Sequence, residues 1–419
     1  MKNILPEAIL VLYYVMGVVS DCDVLDFGAI GDGVSDDTLA IQSAISDEGC
    51  SSILLPKEKT FVSGSLFLKS NVELVVDGEL LGSPDYKNMD LWPNIYTRRA
   101  GLMVNTTASL INGGQCSKMQ DSYRRGPPYI LGDQCEEWNE LTNVTLRGMG
   151  TINGNGNCGW ATDDKTKDNR PTLLGLGHIT DLTISDVTLT NPAFWTCHVL
   201  FSNNVYINNI QIETSSEDTV KNADGIDPDS SKNVLIENCK ISSNDDVIAI
   251  KSGINEDGRA VGIPSENITV RQMYFEKGHG ISIGSETSGD IRDVFIHDIK
   301  LNGTDRGVRI KSQAGRGGVV ENLVYANIDM VDVETAISIT MEYTSSGHGP
   351  LPEFRNITVS DIQGTGIKDA GEIVCEKRSK CTDMTFQNID LTVENGYKEC
   401  QYVEGIQENV SPSIPCLST

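Results

Sequence analysis

The chain has 419 residues, with 59 acidic against 33 basic side chains and a formal net charge of −26. Nucleic acid and anionic membrane surfaces both need clustered Lys and Arg, so neither is expected as a partner. Beyond the first twenty residues no segment is apolar enough to span a bilayer.

In chain order, Lys2 precedes an apolar run from Ala8 to Val19 that closes on Val18, Val19 and Ser20. The run is too short for a membrane span and has the layout of a secretory signal peptide over residues 1–20. Cleavage after Ser20 would leave one domain, residues 21–419, starting at Asp21. The expected product is exported, extracellular or held in a cell wall. Six Asn-x-Ser/Thr sequons, at Asn105, Asn143, Asn267, Asn302, Asn356 and Asn409, suit a glycoprotein of the secretory pathway. The eleven cysteines should mostly pair in that compartment, and their odd number leaves at least one free. Proximity favours Cys375 with Cys381 and Cys400 with Cys416.

Ser35-Asp36-Asp37-Thr38, followed by Leu39, Ile41, Ala44 and Ile45, reads as an acidic cap and a short amphipathic helix. The segment from about Asp85 to Trp138 is rich in Arg, Asn and Tyr and has no repeat, as expected of a long excursion. Gly154 to Gly159 matches GxGxxG, but no amphipathic helix follows, which argues against a dinucleotide site. DGVSDDT lacks the ligand spacing of a calcium loop.

From residue 140 a phrase recurs in which Asn or Asp precedes alternating apolar and polar residues. Its leading apolar positions are Val144, Leu182, Val205, Val234, Ile268, Val294, Leu323, Ile357 and Met384. After the first gap these are 23, 29, 34, 26, 29, 34 and 27 residues apart. A two-residue alternation inside such a period excludes helical repeats and predicts an all-β solenoid. Short strands without hairpin signals should stack in parallel, giving a right-handed parallel β-helix whose first coil is capped by the N-terminal helix.

A second phrase runs through NADGIDPDS, NDDVIAIKSG, GHGISIGSE, DRGVRIKSQ and VETAISITM. Aligning Ile226, Ile248, Ile281, Val308 and Ile337 places Asp224, Asp246, His279 and Arg306 each two positions ahead. Equivalent positions of successive turns lie about 4.8 Å apart, so Asp224, Asp245, Asp246 and His279 should converge. Strand alternation puts Arg309 and Lys311 on the outer face beside them. Taken singly each residue has a bland reading, and GIDPDSS suggests turn chemistry for Asp227 and Asp229. Crowded carboxylates raise each other's pKa, however, and such crowding is kept where chemistry uses it. Two carboxyls of contrasting pKa suit glycoside hydrolysis, and the adjoining cations suit a uronic acid unit.

NADGIDPDSSKNV, NDDVIAIKSG, GHGISIGSE and GTDRGVRIKS together resemble the four signatures of polygalacturonases, glycoside hydrolase family 28. DFGAIGDGVSDDT and FLKSNVELVVDGELLGS are similar to that family as well, and the likeness runs from about Asp26 to Ile362. It implies a right-handed parallel β-helix that cleaves α-1,4 linkages of homogalacturonan, the pectic substrate, with inversion and without metal or other cofactor. Carried over, Asp245 would be the general acid, and Asp224 and Asp246 would hold and activate water. His279 would support the acid, and Arg309 and Lys311 would bind a substrate carboxylate. Asn222 would contact substrate, while by analogy Tyr343 and His198 would line the cleft. The chain is expected to act as a monomer. Ala223 departs from the family's Thr, and the excursion departs too, with Cys116 and Cys135 forming a disulfide of its own. Should that excursion wall off one end of the cleft, cleavage would proceed from chain ends.

Three alternatives remain at this level. A calcium-dependent pectate lyase would need an Arg base and a calcium cage. A xylogalacturonan or rhamnogalacturonan hydrolase would share the machinery, and a non-catalytic glycan-binding β-helix would have no need of all six polar groups.

Overall fold

A computed structural model describes residues 21–120, 132–160, 169–214, 220–344 and 348–417. The expected signal peptide lies outside them. Twenty-nine strands join in one hydrogen-bonded network whose neighbours come from successive turns and run parallel, the right-handed β-helix expected from the period. The anticipated column forms without a break, since Val72, Val144, Leu182, Val205, Val234, Ile268, Val294, Leu323, Ile357 and Met384 are register partners turn by turn. All ten are buried.

The Asn or Asp before each column residue makes the corner. Asn143, Asp181, Asn204, Asn233, Asn267, Asp293, Asn322, Asn356 and Asp383 all have positive φ, from 52° at Asn356 to 63° at Asp181. Among residues with a Cβ, Asn and Asp tolerate this left-handed conformation best. Their side chains also bond along the axis, as Asn267 Nδ2 does to Asn233 Oδ1 at 2.7 Å and Asn356 Nδ2 to Asn322 Oδ1 at 2.7 Å.

The helix Thr38–Ser46 covers the first coil with Ile41, Ala44 and Ile45, whereas Leu39 is 81% exposed. Asp36 Oδ1 accepts from the Thr38 amide, while Asp37 turns back to the amides of Ile30 and Gly31. Four disulfides form: Cys22–Cys50, Cys116–Cys135, Cys375–Cys381 and Cys400–Cys416. Cys158, Cys197 and Cys239 are free. Among the described residues no helix is long and apolar enough to cross a membrane.

The excursion is two segments rather than one, because Ile111–Asn112 returns to the coil between Leu66–Phe67 and Leu174–Gly177. The first segment carries the antiparallel hairpin Asn94–Arg99 and Leu102–Thr107, and the second the hairpin Cys116–Met119 and Cys135–Trp138.

Candidate active site

One sheet of the coil carries the charged phrases. Ile226, Ile248, Ile281, Val308 and Ile337 are register partners in five successive turns, each with 0% exposure. With these aliphatics turned inward, the residues between them must face out. The outer face therefore stacks His198, Asp227, Ala249, Ser282 and Arg309 in one row, and Asp229, Lys251, Gly284 and Lys311 in the next.

Asp245, at the entry to this sheet, has a side chain 23% exposed and is the most open of the expected carboxylates. His279 Nδ1 lies 3.2 Å from its Oδ1, and His279 Nε2 lies 3.2 Å from Asp305 Oδ2. Partial burial opposes ionisation of Asp245, but His279, Lys311 and Lys251 outweigh it and hold the carboxyl at about 2. The hydrogen bond from Asp245 in turn raises His279 above its ordinary value. A proton shared by this pair thus rests on the imidazole. Asn222, exposed and at φ 57°, places Nδ2 3.5 Å from Asp245 Oδ2.

Asp246 is buried, and its oxygens accept from Ser282 Oγ at 2.7 Å, Arg309 at 2.8 Å and Lys311 at 2.5 Å. Burial pushes its pKa up, but Lys311 and Arg309 push it down further and keep it ionised. The two cations are on the expected outer face, turned onto a carboxylate of the protein and flanked by the Tyr343 ring at 5.7 and 5.2 Å. Asp245, Asp246 and His279 offer donor atoms within 4.8 Å of one another. A divalent cation there would sit against Arg309 and Lys311, so the donor set is electrostatically unsuited to one.

Asp224 pairs with Lys251 Nζ at 2.9 Å, yet burial dominates and raises its pKa to about 6. Asp227 and Asp229 are not turn residues. Both lie within the strand Ile226–Asp229 at 0% exposure, because this turn directs acids onto the outer face where other chain segments cover them. Asp227 is 3.3 Å from Lys251 Nζ and is pushed well above the carboxylate range by burial. Asp229 bonds Arg98 at 2.6 Å and His198 at 3.1 Å. Burial works against its charge, but these partners hold it at about 2. His198 therefore does not line the open cleft. It is 4% exposed, held below its ordinary pKa by burial, and packed edge-on to Trp195 at 5.0 Å. Trp195 also lies over Lys251, whose Nζ is 3.5 Å from the ring centroid.

Lys251, Asp305, Glu286 and Arg98 were not anticipated from sequence. Glu286, raised to about 7 by burial, lies beside the hairpin turn at Gly101. Lys251 directly follows the inward Ile250 in the quoted phrase NDDVIAIKSG and so shares the outer face with Lys311, but its pairing with Asp224 is not written in that phrase. Ala223 is buried and its carbonyl accepts from Ser243 Oγ at 2.9 Å, a tie to the turn that needs no side chain at 223.

A partly open carboxyl beside an imidazole of raised pKa, with an ionised carboxylate and a proton-prone one behind it, is an arrangement chemically suited to acid/base glycoside hydrolysis. The model of "Glycosyl hydrolases family 28" matches residues 130–412, and that of "Rhamnogalacturonase A/epimerase, pectate lyase-like" matches 22–120. A "Probable polygalacturonase" of Vitis vinifera is 31% identical over 94% of this chain and 79% of its own length. An "Endo-polygalacturonase" of Pectobacterium parmentieri is 31% identical over 81% and 79%. The exopolygalacturonase structure from Thermotoga maritima superposes with a TM-score of 0.80 at 27% identity, covering 93% of this chain and 91% of that one. The chain belongs to glycosyl hydrolase family 28. It is a hydrolase of the polygalacturonase type.

Proposed function

We propose that the protein is exported and hydrolyses α-1,4-galacturonosyl linkages of homogalacturonan with inversion, acting as a monomer. The observation that carries this reading is the contrast within the cluster: the open Asp245 lies 3.2 Å from His279, whose pKa it raises, while buried Asp246 is kept ionised by two cations. Asp245 receives the proton of the His279 pair and gives it to the glycosidic oxygen as the C1–O bond breaks. Asp224 and Asp246 hold a water on the other face of the sugar and take its proton as its oxygen bonds C1, which inverts the anomeric centre. Arg309 and Lys311, with Asn222 and Tyr343, meet the substrate carboxylate, and the donors not spent on Asp246 serve that purpose.

The apolar leader, the sequons and the four disulfides support export. All six sequon asparagines are exposed.

The test is incubation with polygalacturonic acid in excess chelator. New reducing ends in the β configuration, with no unsaturated product, are expected. Unsaturated product, a calcium requirement, or release of the α anomer would overturn the reading.

A further inference from the structure

Relatives described as exo- and as endo-polygalacturonases are both similar to this chain, so the mode of cleavage has to be read from the cleft. The hairpin Asn94–Thr107 lies across the outer face of the strands Ile111–Asn112, Leu174–Gly177 and Cys197–Leu200. Between Thr97 and Arg99 of the hairpin and Gly175, Gly177 and His198 of the sheet only about 20 Å³ remains, too little for a sugar ring. The covered floor is buried: Asn112 is 0%, His198 4% and Leu200 2% exposed. Gly175 leaves room for Ser109, where the chain leaves the hairpin, since a Cβ there would come within 2.2 Å of Ser109 Oγ.

The cover is anchored to the catalytic turns themselves. Arg98, 2% exposed, bonds Asp229 at 2.6 Å and Ser230 Oγ at 2.7 Å. The Gly101 carbonyl accepts from the Ile254 amide at 3.1 Å, and Asp257 accepts from the Met103 amide at 3.1 Å. On the opposite side of the acids the sheet runs on past Lys311 to Tyr343, which is 40% exposed.

The covered strand Cys197–Leu200 directly adjoins the strand that follows Asp224. One turn advances about 4.8 Å, close to the length of one sugar residue. We propose that the hairpin closes the cleft one turn before Asp224, leaving room for a single galacturonosyl residue, so that the protein removes galacturonic acid singly from a chain end. In each cycle one C1–O bond is exchanged for a bond to water oxygen, releasing one galacturonic acid and a polymer shorter by one residue.

This inference rests on the polygalacturonase reading, and one assay separates the two. With full-length protein on polygalacturonic acid, monogalacturonic acid is expected as the first and dominant product while viscosity barely falls. Oligomers from the outset, with a steep viscosity loss, would overturn the end-acting mode and leave the hydrolase reading intact. No new reducing ends would overturn both. A variant with residues 96–105 replaced by a two-residue Asn-Gly turn, if folded, should shift products to oligomers. Continued release of monomer alone by that folded variant would also overturn the proposal, and if it misfolds the wild-type product ratio decides.

Discussion

Asp245 and Asp246 are neighbours in sequence, yet they meet different surroundings, as the different parts proposed for them require. Asp245 looks into the cleft with His279 at 3.2 Å, whereas Asp246 is sealed beneath Lys311, Arg309 and Ser282. The hydrolytic water needs an ionised base, and Asp224 sits at about 6. Activity should therefore rise with pH through about 6. It should fall again only above the ordinary histidine range, where the His279 pair loses its proton. A kcat/KM profile checks this, and a rising limb well below 5 would count against Asp224 as part of the base. Lys311→Met removes the nearest charge from Asp246 and so raises the pKa of that carboxylate. In a denaturant melt stability should drop by about 3–5 kcal/mol, because a buried charge loses a partner. The site pair was legible because the two-residue strand period fixes which side chains share a face. Lys251 was hidden by the same phrase, since nothing local says that an outward Lys will be roofed by Trp195.

At the scale of elements, the hairpin Asn94–Thr107 explains what local pattern could not. Arg98 reaches Asp229 across 131 residues of sequence, and that ion pair gives the buried strand residue Asp229 the partner its charge needs. Arg98→Ala should cost about 3–5 kcal/mol in a denaturant melt, and adding Asp229→Asn should recover part of it. Full additivity of the two losses would contradict the pairing. The second hairpin lays Trp138 on His178, ring centroids 3.7 Å apart, next to Phe201. Burial, with Arg98 adding to it, lowers His178 to about 3. The unfolded chain then binds this proton more readily. The stability contribution is complete above about 6.5 and is lost as pH falls toward 3. His178→Asn keeps a side chain tolerated at its φ of 54° and should flatten the decline in Tm over that window. The coil elements were readable because every turn repeats the same physics: a left-handed Asn or Asp corner, then alternating residues. The hairpins carry no repeat, and their partners are set by tertiary contact.

Across the whole molecule, stability resides in the stacked aliphatic columns, and each turn depends on the turns beside it. Ile248 is fully buried between Ile226 and Ile281, so Ile248→Ala should cost about 2–5 kcal/mol and loosen the catalytic turns on both sides. Strand order, the direction of stacking and the sheet that bears the acids all follow from spacing in the sequence. The closed end of the cleft does not, because it depends on where an unrepeated hairpin lands. The surplus of negative charge is compatible with a polyanionic substrate because Arg309 and Lys311 stand at the site itself. The most direct test of the account compares wild type and Asp245→Asn on polygalacturonic acid, with matching Tm values to show that the fold is kept. A loss of about 10²–10⁴-fold in kcat is predicted, as for removal of a general acid. Retention of near wild-type kcat by Asp245→Asn would contradict it.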